Sequence, residues 1–255
     1  QKKNKLKPDG IVGSLTWKAM RIATTDFSEN QHNFFGGIKI HTHYLPEDEY
    51  LKGPITPHWI FLHHTAGWEN PYKTIDLWDS DKRGTIATEF VIGGQSVKDT
   101  IKKYDGTVVQ AFPPDNYAWH LGKNGNQTMH VNSIGIELCN FGYVVNGRTW
   151  AGTRVSTNQI VKLKKPFRGY QYWHKYSDEQ INSLKLLLKW IGEREDIDIR
   201  CGLPELIKKN GVDAFEWNSD AYYGKVHGVW SHTSIRKDKW DIFPQEEMMD
   251  MLISL

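Results

Sequence analysis

The chain has 255 residues, of which 39% are hydrophobic, enough for one large domain or a domain with appendages around an adequate core. Lysine and arginine total 32 against 30 acids, a formal net charge of +2, and no long basic run is interleaved with aromatics, so the balance excludes a nucleic-acid partner. No stretch of about 18 apolar residues occurs, which excludes a membrane-spanning helix, and the two cysteines, Cys139 and Cys201, make no disulfide framework.

The first residues, Gln1 to Pro8, carry charge with no apolar segment behind them, so no signal peptide is predicted; the missing initiator methionine points to a processed or trimmed start. Pro8-Asp9-Gly10 is turn chemistry, and Ser14 can cap a short helix carrying Leu15, Trp17 and Met20. Residues 21–58 are polar and irregular, apart from an alternating strand, Ile38 to His41, opened by Gly36-Gly37, and an acidic turn region from Leu45 to Gly53. His41 and His43 lie two apart on one strand face, a spacing that could bind metal but with no third ligand nearby.

Trp59 to Gly67 reads W-I-F-L-H-H-T-A-G. The run Ile60-Phe61-Leu62 predicts a buried strand, with His63 and His64 at its carboxyl end, where side chains can leave the core and face a cleft. Asn70-Pro71 begins a helix through Leu77 and Trp78, residues 86–93 predict the next strand, and residues 101–112 predict a hairpin around Asp105-Gly106. After Y-A-W-H-L-G at 117–122 comes a loop rich in Gly and Asn, then Ser133 to Leu138, an apolar strand with a single carboxylate. A buried Glu is costly without a partner or a function, which singles out Glu137. Residues 143–170 read as loop, with a hairpin at Asn146-Gly147 and a basic patch at Lys162–Lys165 that reads as a solvated face.

The clearest helix runs from Ser177 to Ile191. Ser177 with Gln180 forms a capping box, and Ile181, Leu184, Leu187, Leu188 and Ile191 make one apolar stripe. Residues 200–225 are an excursion containing Phe215, Trp217, Tyr222 and Tyr223, and Pro244 to Leu255 reads as a final helix. This mixture predicts an α/β fold with a single central mixed sheet flanked by helices. Residues 1–30 form a short N-terminal helical extension and residues 31–255 the main domain.

A constellation emerges between the strand end at His63 and the distant segment S-H-T-S-I-R-K-D-K-W-D at 231–241. His63, His232 and Asp241 can supply two nitrogens and one oxygen, the donor set of a catalytic zinc with one open position. Glu137, on a neighbouring buried strand, can act as general base and return the proton to a leaving amine. Lys239, two residues before Asp241, can stabilise the oxyanion formed when an amide carbonyl is attacked. Composition and spacing reach a zinc hydrolase and do not name the bond.

In this order, L-H-H-T-A-G at 62–67, A-W-H-L-G at 118–122, S-I-G-I-E-L at 133–138 and W-S-H-T-S-I-R-K-D-K-W-D at 230–241 resemble the zinc-dependent N-acetylmuramoyl-L-alanine amidases, in the superfamily of type-2 amidases and peptidoglycan recognition proteins. The resemblance covers roughly residues 55–245. It implies zinc ligation by His63, His232 and Asp241, with His64 as a pocket residue and Lys239 as the lysine of the K-x-D motif. One branch of the family places a catalytic tyrosine two residues before an F-x-I motif, where this chain has Thr88 ahead of Phe90-Val91-Ile92. The other branch uses the Glu of I-G-I-E, here Glu137, so the glutamate type is implied. Two departures stand: Glu89 occupies a position where the family usually has histidine, and Asp241-Ile242-Phe243-Pro244 replaces D-P-G. Trp119 and His120 match a motif near the cleft and are candidate substrate contacts, although the tryptophan also reads as core.

The resemblance further implies peptidoglycan as substrate, and cleavage of the amide between the lactyl group of N-acetylmuramic acid and L-alanine of the stem peptide. A monomer acting on the bacterial cell wall is expected. Asp9, Gly10, Gly13, Thr16 and Ala19 fit D-G-x-x-G-x-x-T-x-x-A, which resembles the closing third of a small helical peptidoglycan-binding repeat. Together these features suit a phage endolysin or virion lysin. Two alternatives are a non-catalytic peptidoglycan receptor, whose members typically lack a zinc ligand, and a cytosolic muropeptide-recycling amidase, against which the wall-binding signature argues.

Overall fold

In the structure, a computed structural model that describes residues 33–35, 37–122 and 126–255, the apolar run at Trp59 is a strand, β4. The expected helix around Trp17 and Met20, the segment 1–30, Gly36 and the centre of the Gly- and Asn-rich loop lie outside the described residues. With β1 (Asn33–Phe35), β2 (Ile38–Thr42) and a short β3 (Leu51–Lys52) ahead of it, β4 spans Trp59–His64, and all six of its residues are buried. Apolar side chains at consecutive positions require cover on both faces of a sheet.

Helix α1 (Pro71–Asp79) comes next, followed by β5 (Phe90–Ile92), β6 (Val108–Gln110) and β7 (Asn116–Tyr117). Then come α2 (Gln127–Val131), β8 (Ser133–Leu138), β9 (Ile160–Phe167), β10 (Tyr170–His174) and α3 (Asp178–Glu195). The chain closes with α4 (Leu203–Asn210), α5 (Ser219–Tyr222), β11 (Gly228–Ser231), α6 (His232–Ile235) and α7 (Glu246–Ile253). Among the described residues one sheet has seven strands, in the order β1-β2-β6-β5-β8-β4-β11. The β1/β2 and β5/β6 pairs are antiparallel, and the other neighbours are parallel. This is the central mixed sheet flanked by helices that the sequence predicts.

Residues in register share a face, and successive residues alternate faces. His63 is in register with Glu137, and Glu137 with Val91. On that face α1 covers β5 and β6, where Ile75 packs with Val91 and Val109. Asn70 caps α1 by accepting from the Tyr72 and Lys73 amides, with Pro71 at its first turn. The other face takes α3, whose stripe Ile181, Leu184, Leu187, Leu188 and Ile191 is buried as expected. Ser177 Oγ accepts from the Gln180 amide at 3.0 Å. Gln180, however, does not reach back to complete a capping box. Its Nε2 donates to the carbonyls of Ile92, Gly93 and Cys139 at 3.1–3.2 Å, fastening the helix to the ends of β5 and β8.

Three expectations change. Only Phe90–Ile92 of residues 86–93 forms a strand; ahead of it Thr88 donates its hydroxyl to the Phe90 carbonyl and Glu89 accepts from Gln110. The hairpin expected over 101–112 is instead a turn leading into β6, which pairs back on β5; Gly106 and Gly93 bond through their backbones at 3.1 Å. The stretch 143–170, read as loop, contains β9, and β9 and β10 form an antiparallel hairpin. Lys162, Lys164 and Lys165 are exposed, so the solvated patch lies on a strand, with Lys164 and Lys165 paired to Glu246 and Asp213. Asn146 and Gly147 do form the expected tight turn, both at positive φ, closed by the Val145–Arg148 bridge.

Glu89, which departs from the family pattern, is buried against Arg194 of α3 at 3.0 Å and accepts from Gln110 at 2.9 Å. The guanidinium also lies 4.6 Å from the Trp190 ring centre. A buried carboxylate needs such partners, so this acid is absorbed by the core. No helix among the described residues is long and apolar enough to cross a membrane.

Candidate metal centre

Three segments far apart in sequence meet at the carboxyl ends of β4, β8 and β11. Strand β4 delivers His63. Strand β11 ends at Ser231 and passes directly into α6, whose first residue is His232; Ser231 and Ser234 cap that turn reciprocally. The chain then loops outward through Lys237 and returns at Asp241, where the Thr233 amide donates to the Asp241 carbonyl at 2.9 Å. This tie places the carboxylate beside His232.

The donor atoms converge. His63 Nδ1 and His232 Nδ1 are 3.1 Å apart, His232 Nδ1 and Asp241 Oδ2 are 3.0 Å apart, and His63 Nδ1 and Asp241 Oδ2 are 3.4 Å apart. All three residues are buried, and among the described residues they form the group of side chains able to hold a metal. Donors at about 2.0–2.1 Å from a tetrahedral zinc stand about 3.3 Å from one another, so the spacing fits that ion. Two imidazole nitrogens face each other at this distance only around a shared proton or a cation. Burial, with His232 adding to it, pushes His63 down to about 4, so the ring is neutral and one of its two nitrogens carries a lone pair that a ligand can use. Burial works to raise the Asp241 carboxyl, yet His232, His63 and His64 together hold it well below the usual range. Two nitrogens and a carboxylate oxygen suit zinc over calcium or magnesium, which prefer oxygen shells.

Behind His63 stands a hydrogen-bond chain. His63 Nε2 is 3.0 Å from His120 Nδ1, and His120 Nε2 is 2.9 Å from Ser133 Oγ. In the tautomer with the lone pair on His63 Nδ1, its Nε2–H donates to His120, whose own Nε2–H donates to Ser133. Such outer partners fix the tautomer and ring angle of a ligand. Gly135 makes room for this chain, since a Cβ there would stand 3.0 Å from His120 Nδ1 and 2.7 Å from Thr88 Cγ2. His120 therefore has both ring nitrogens engaged, one by His63 and one by Ser133. Ser133 escaped the sequence reading as a site residue, although it opens the S-I-G-I-E motif. His232 Nε2 is buried with no hydrogen-bond partner among the described residues.

Glu137 lies beside His63 on the same sheet face, in register across β4 and β8. Burial pushes its carboxyl well above the usual range, the Asp241 charge adds to this, and Lys239 opposes it. Lys239 thus sits within electrostatic reach of both Glu137 and the metal donors. Thr88, at the tyrosine position of the other branch, is buried and donates its hydroxyl to the Phe90 carbonyl at 2.9 Å, so its proton is committed away from the donor set.

The remaining candidates separate. Alternation turns His64 to the opposite face from His63, where its Nδ1 is 2.9 Å from the Tyr176 hydroxyl and its ring packs on Phe243. The structure does not bring His64 to the donor set. Trp119 is half-buried, with its ring edge-on to His130 at 4.8 Å. Trp68 is 48% exposed, whereas Trp230 is 1% exposed and belongs to the core. Trp150, missed in the sequence, is exposed and donates its indole N–H to the Ala66 carbonyl at 2.8 Å, close after the histidine pair. His43 pairs with Asp76 at 2.7 Å, and among the described residues His41 and His43 join no group able to hold a metal.

No curated protein matches the chain. Solved structures similar to it include the endolysin N-acetylmuramoyl-L-alanine amidase LysCS from Clostridium intestinale URNW, 16% identical, covering 84% of this chain and 95% of that one with a TM-score of 0.46. The catalytic domain of XlyA is 14% identical, covering 85% of this chain and 96% of that one with a TM-score of 0.45. PlyL is 12% identical, covering 80% of this chain and 86% of that one with a TM-score of 0.45. Residues 53–241 match the family model described as N-acetylmuramoyl-L-alanine amidase. That match spans well over half of the chain, from ahead of β4 to the last donor, and the chain belongs to the N-acetylmuramoyl-L-alanine amidase family.

Proposed function

We propose that the chain is a zinc-dependent peptidoglycan hydrolase that cleaves the amide between N-acetylmuramic acid and L-alanine of the stem peptide. The observation that carries this reading is the buried meeting of His63 Nδ1, His232 Nδ1 and Asp241 Oδ2 in the face that also holds Glu137. Zinc, when bound there, supplies Lewis acidity that makes water acidic near neutral pH and polarises a carbonyl. Glu137 takes the proton from the attacking water and hands it to the amine nitrogen as the carbon–nitrogen bond breaks. A carboxyl lifted by burial holds a proton more readily than an ordinary glutamate, which suits both halves of that transfer. Lys239 faces the oxygen on which negative charge develops. Trp68 and Trp119 supply apolar surface against which sugar or peptide can lie. The complete donor set favours an enzyme over a receptor. The Asp9 to Ala19 signature supports a wall lysin, of phage or bacterial origin, over an enzyme of soluble fragments.

Product analysis tests the bond. Purified sacculi digested by the protein should yield new amino-terminal alanine and no new reducing sugar ends, and chelation of zinc should abolish the signal. New reducing ends without amino-terminal alanine would replace the amidase reading with a glycosidase. A second expectation concerns Lys239→Ala. An oxyanion contact forms mainly in the transition state, so kcat should fall by roughly 10²-fold with KM little changed. A rise in KM alone would make Lys239 a binding residue.

A further inference from the structure

We propose that Arg168 is a positioning residue for the metal loop: its guanidinium gathers the backbone carbonyls of the segment between His232 and Asp241 and so sets where Asp241 and Lys239 stand. The inference rests on the zinc reading of His63, His232 and Asp241. Arg168 lies at the tip of the β9–β10 hairpin, far from the metal loop in sequence. Phe167 and Tyr170 pair across the turn, and the two residues between them, Arg168 and Gly169, have φ of +46° and +89°. Two-residue hairpin turns with positive φ at both positions favour Asn, Asp or Gly. An arginine held in the left-handed region is disfavoured by the steric clash of its Cβ.

The side chain supplies the compensating contacts. It is 8% exposed. Nη1 donates to the carbonyls of Arg236 at 2.9 Å and Lys237 at 3.2 Å, and also to that of Lys239. Nη2 donates to the Thr233 carbonyl at 3.1 Å and to Glu216 at 3.2 Å. Between the end of α6 and Asp241 the chain has no helical or strand partner, so three of its carbonyls, together with that of Thr233 within α6, are gathered by one planar fork. The segment already carries Arg236, Lys237 and Lys239. Glu216, with the charges of Asp238 and Asp241, offsets repulsion from these cations, and the carbonyl dipoles fix where the fork stands. A lysine cannot substitute, because a point charge with three donors lacks the fixed fork.

The test uses the full chain and the variants Arg168→Asn and Arg168→Lys. Asparagine is a residue the turn itself favours, so a purely local role for Arg168 predicts an unchanged or more stable protein. Zinc affinity is measured by competition with a chelator, and amide hydrogen exchange of residues 236–241 is followed in the metal-free protein, with α3 as the internal reference. We expect both variants to fold, zinc affinity to fall about tenfold or more, exchange to accelerate in 236–241 but not in α3, and kcat to fall with KM unchanged. The lysine variant should not restore the wild-type values. Unchanged zinc affinity and unchanged loop exchange in Arg168→Asn would overturn the inference, as would failure of both variants to fold. Absence of zinc binding by the wild-type protein would instead overturn the metal reading itself.

Discussion

Replacing His232 with alanine should remove the metal and the hydrolytic activity together. The substitution leaves His63 Nδ1 and Asp241 Oδ2, which stand 3.4 Å apart, as the remaining donors. Two protein ligands hold zinc poorly where a catalytic site uses three. Losing even an outer partner of a ligand costs 10–100-fold in affinity, so loss of a ligand should cost on the order of 10²-fold or more. His63→Ala should do the same and also strand His120, whose Nδ1 would lose its donor. Metal analysis of purified protein, paired with turnover on sacculi, measures both quantities. Full zinc occupancy in either variant would place the site elsewhere. The alanine replaces buried imidazole, so the fold should be checked by its thermal transition before the metal result is read.

The second large effect separates metal from chemistry. Glu137→Gln keeps the shape of the side chain and its place in register with His63, but cannot carry a proton as a carboxylate does. Zinc content should stay at one per chain, as for a three-ligand site, while turnover falls by roughly 10²-fold or more. The pH profile adds a check. The carboxyl of Glu137 is raised by burial and by the Asp241 charge, so its basic form grows in as pH rises through that raised value. The acid limb of the wild-type rate profile should therefore lie above the usual glutamate range and vanish in the variant. Retained turnover in Glu137→Gln would assign proton transfer to another group.

How far the site could be read from sequence depends on the signal each part carries. Ile60-Phe61-Leu62 and the stripe from Ile181 to Ile191 announce themselves because burial imposes apolar residues at fixed periods, and β4 and α3 follow. His63, His232 and Asp241 were legible as a donor set from residue type and from the resemblance. The choice between His63 and His64, by contrast, is settled physically by strand alternation, which puts only one of two adjacent side chains on the cleft face. The β9–β10 hairpin was hidden because its lysines break the apolar alternation, and Arg168-Gly169 is not a common turn pair. The contacts of His120 could not be read either. Its two partners, His63 and Ser133, come from different strands, and only folding brings both to its ring. Glu89 is similar: a buried acid looks functional until Arg194, 105 residues away, is seen to neutralise it.

The order of strands in the sheet has a consequence for how the molecule is made. Strand β4 lies between β8 and β11, both parallel to it, and parallel neighbours require long crossovers. His63 and His232 are 169 residues apart. Early in synthesis, β4 has neither of its lateral neighbours, and its row of Ile, Phe and Leu is a template for pairing with another chain. It acquires one edge when β8 emerges and the second only when β11 does. Contacts at such separation close late and slowly, so the donor cluster is among the last parts of the molecule to exist. A growing chain that has not yet released Asp241 carries a nearly complete sheet and no metal centre. On the zinc reading such a chain lacks the donors that its chemistry requires, however much of its core has already formed.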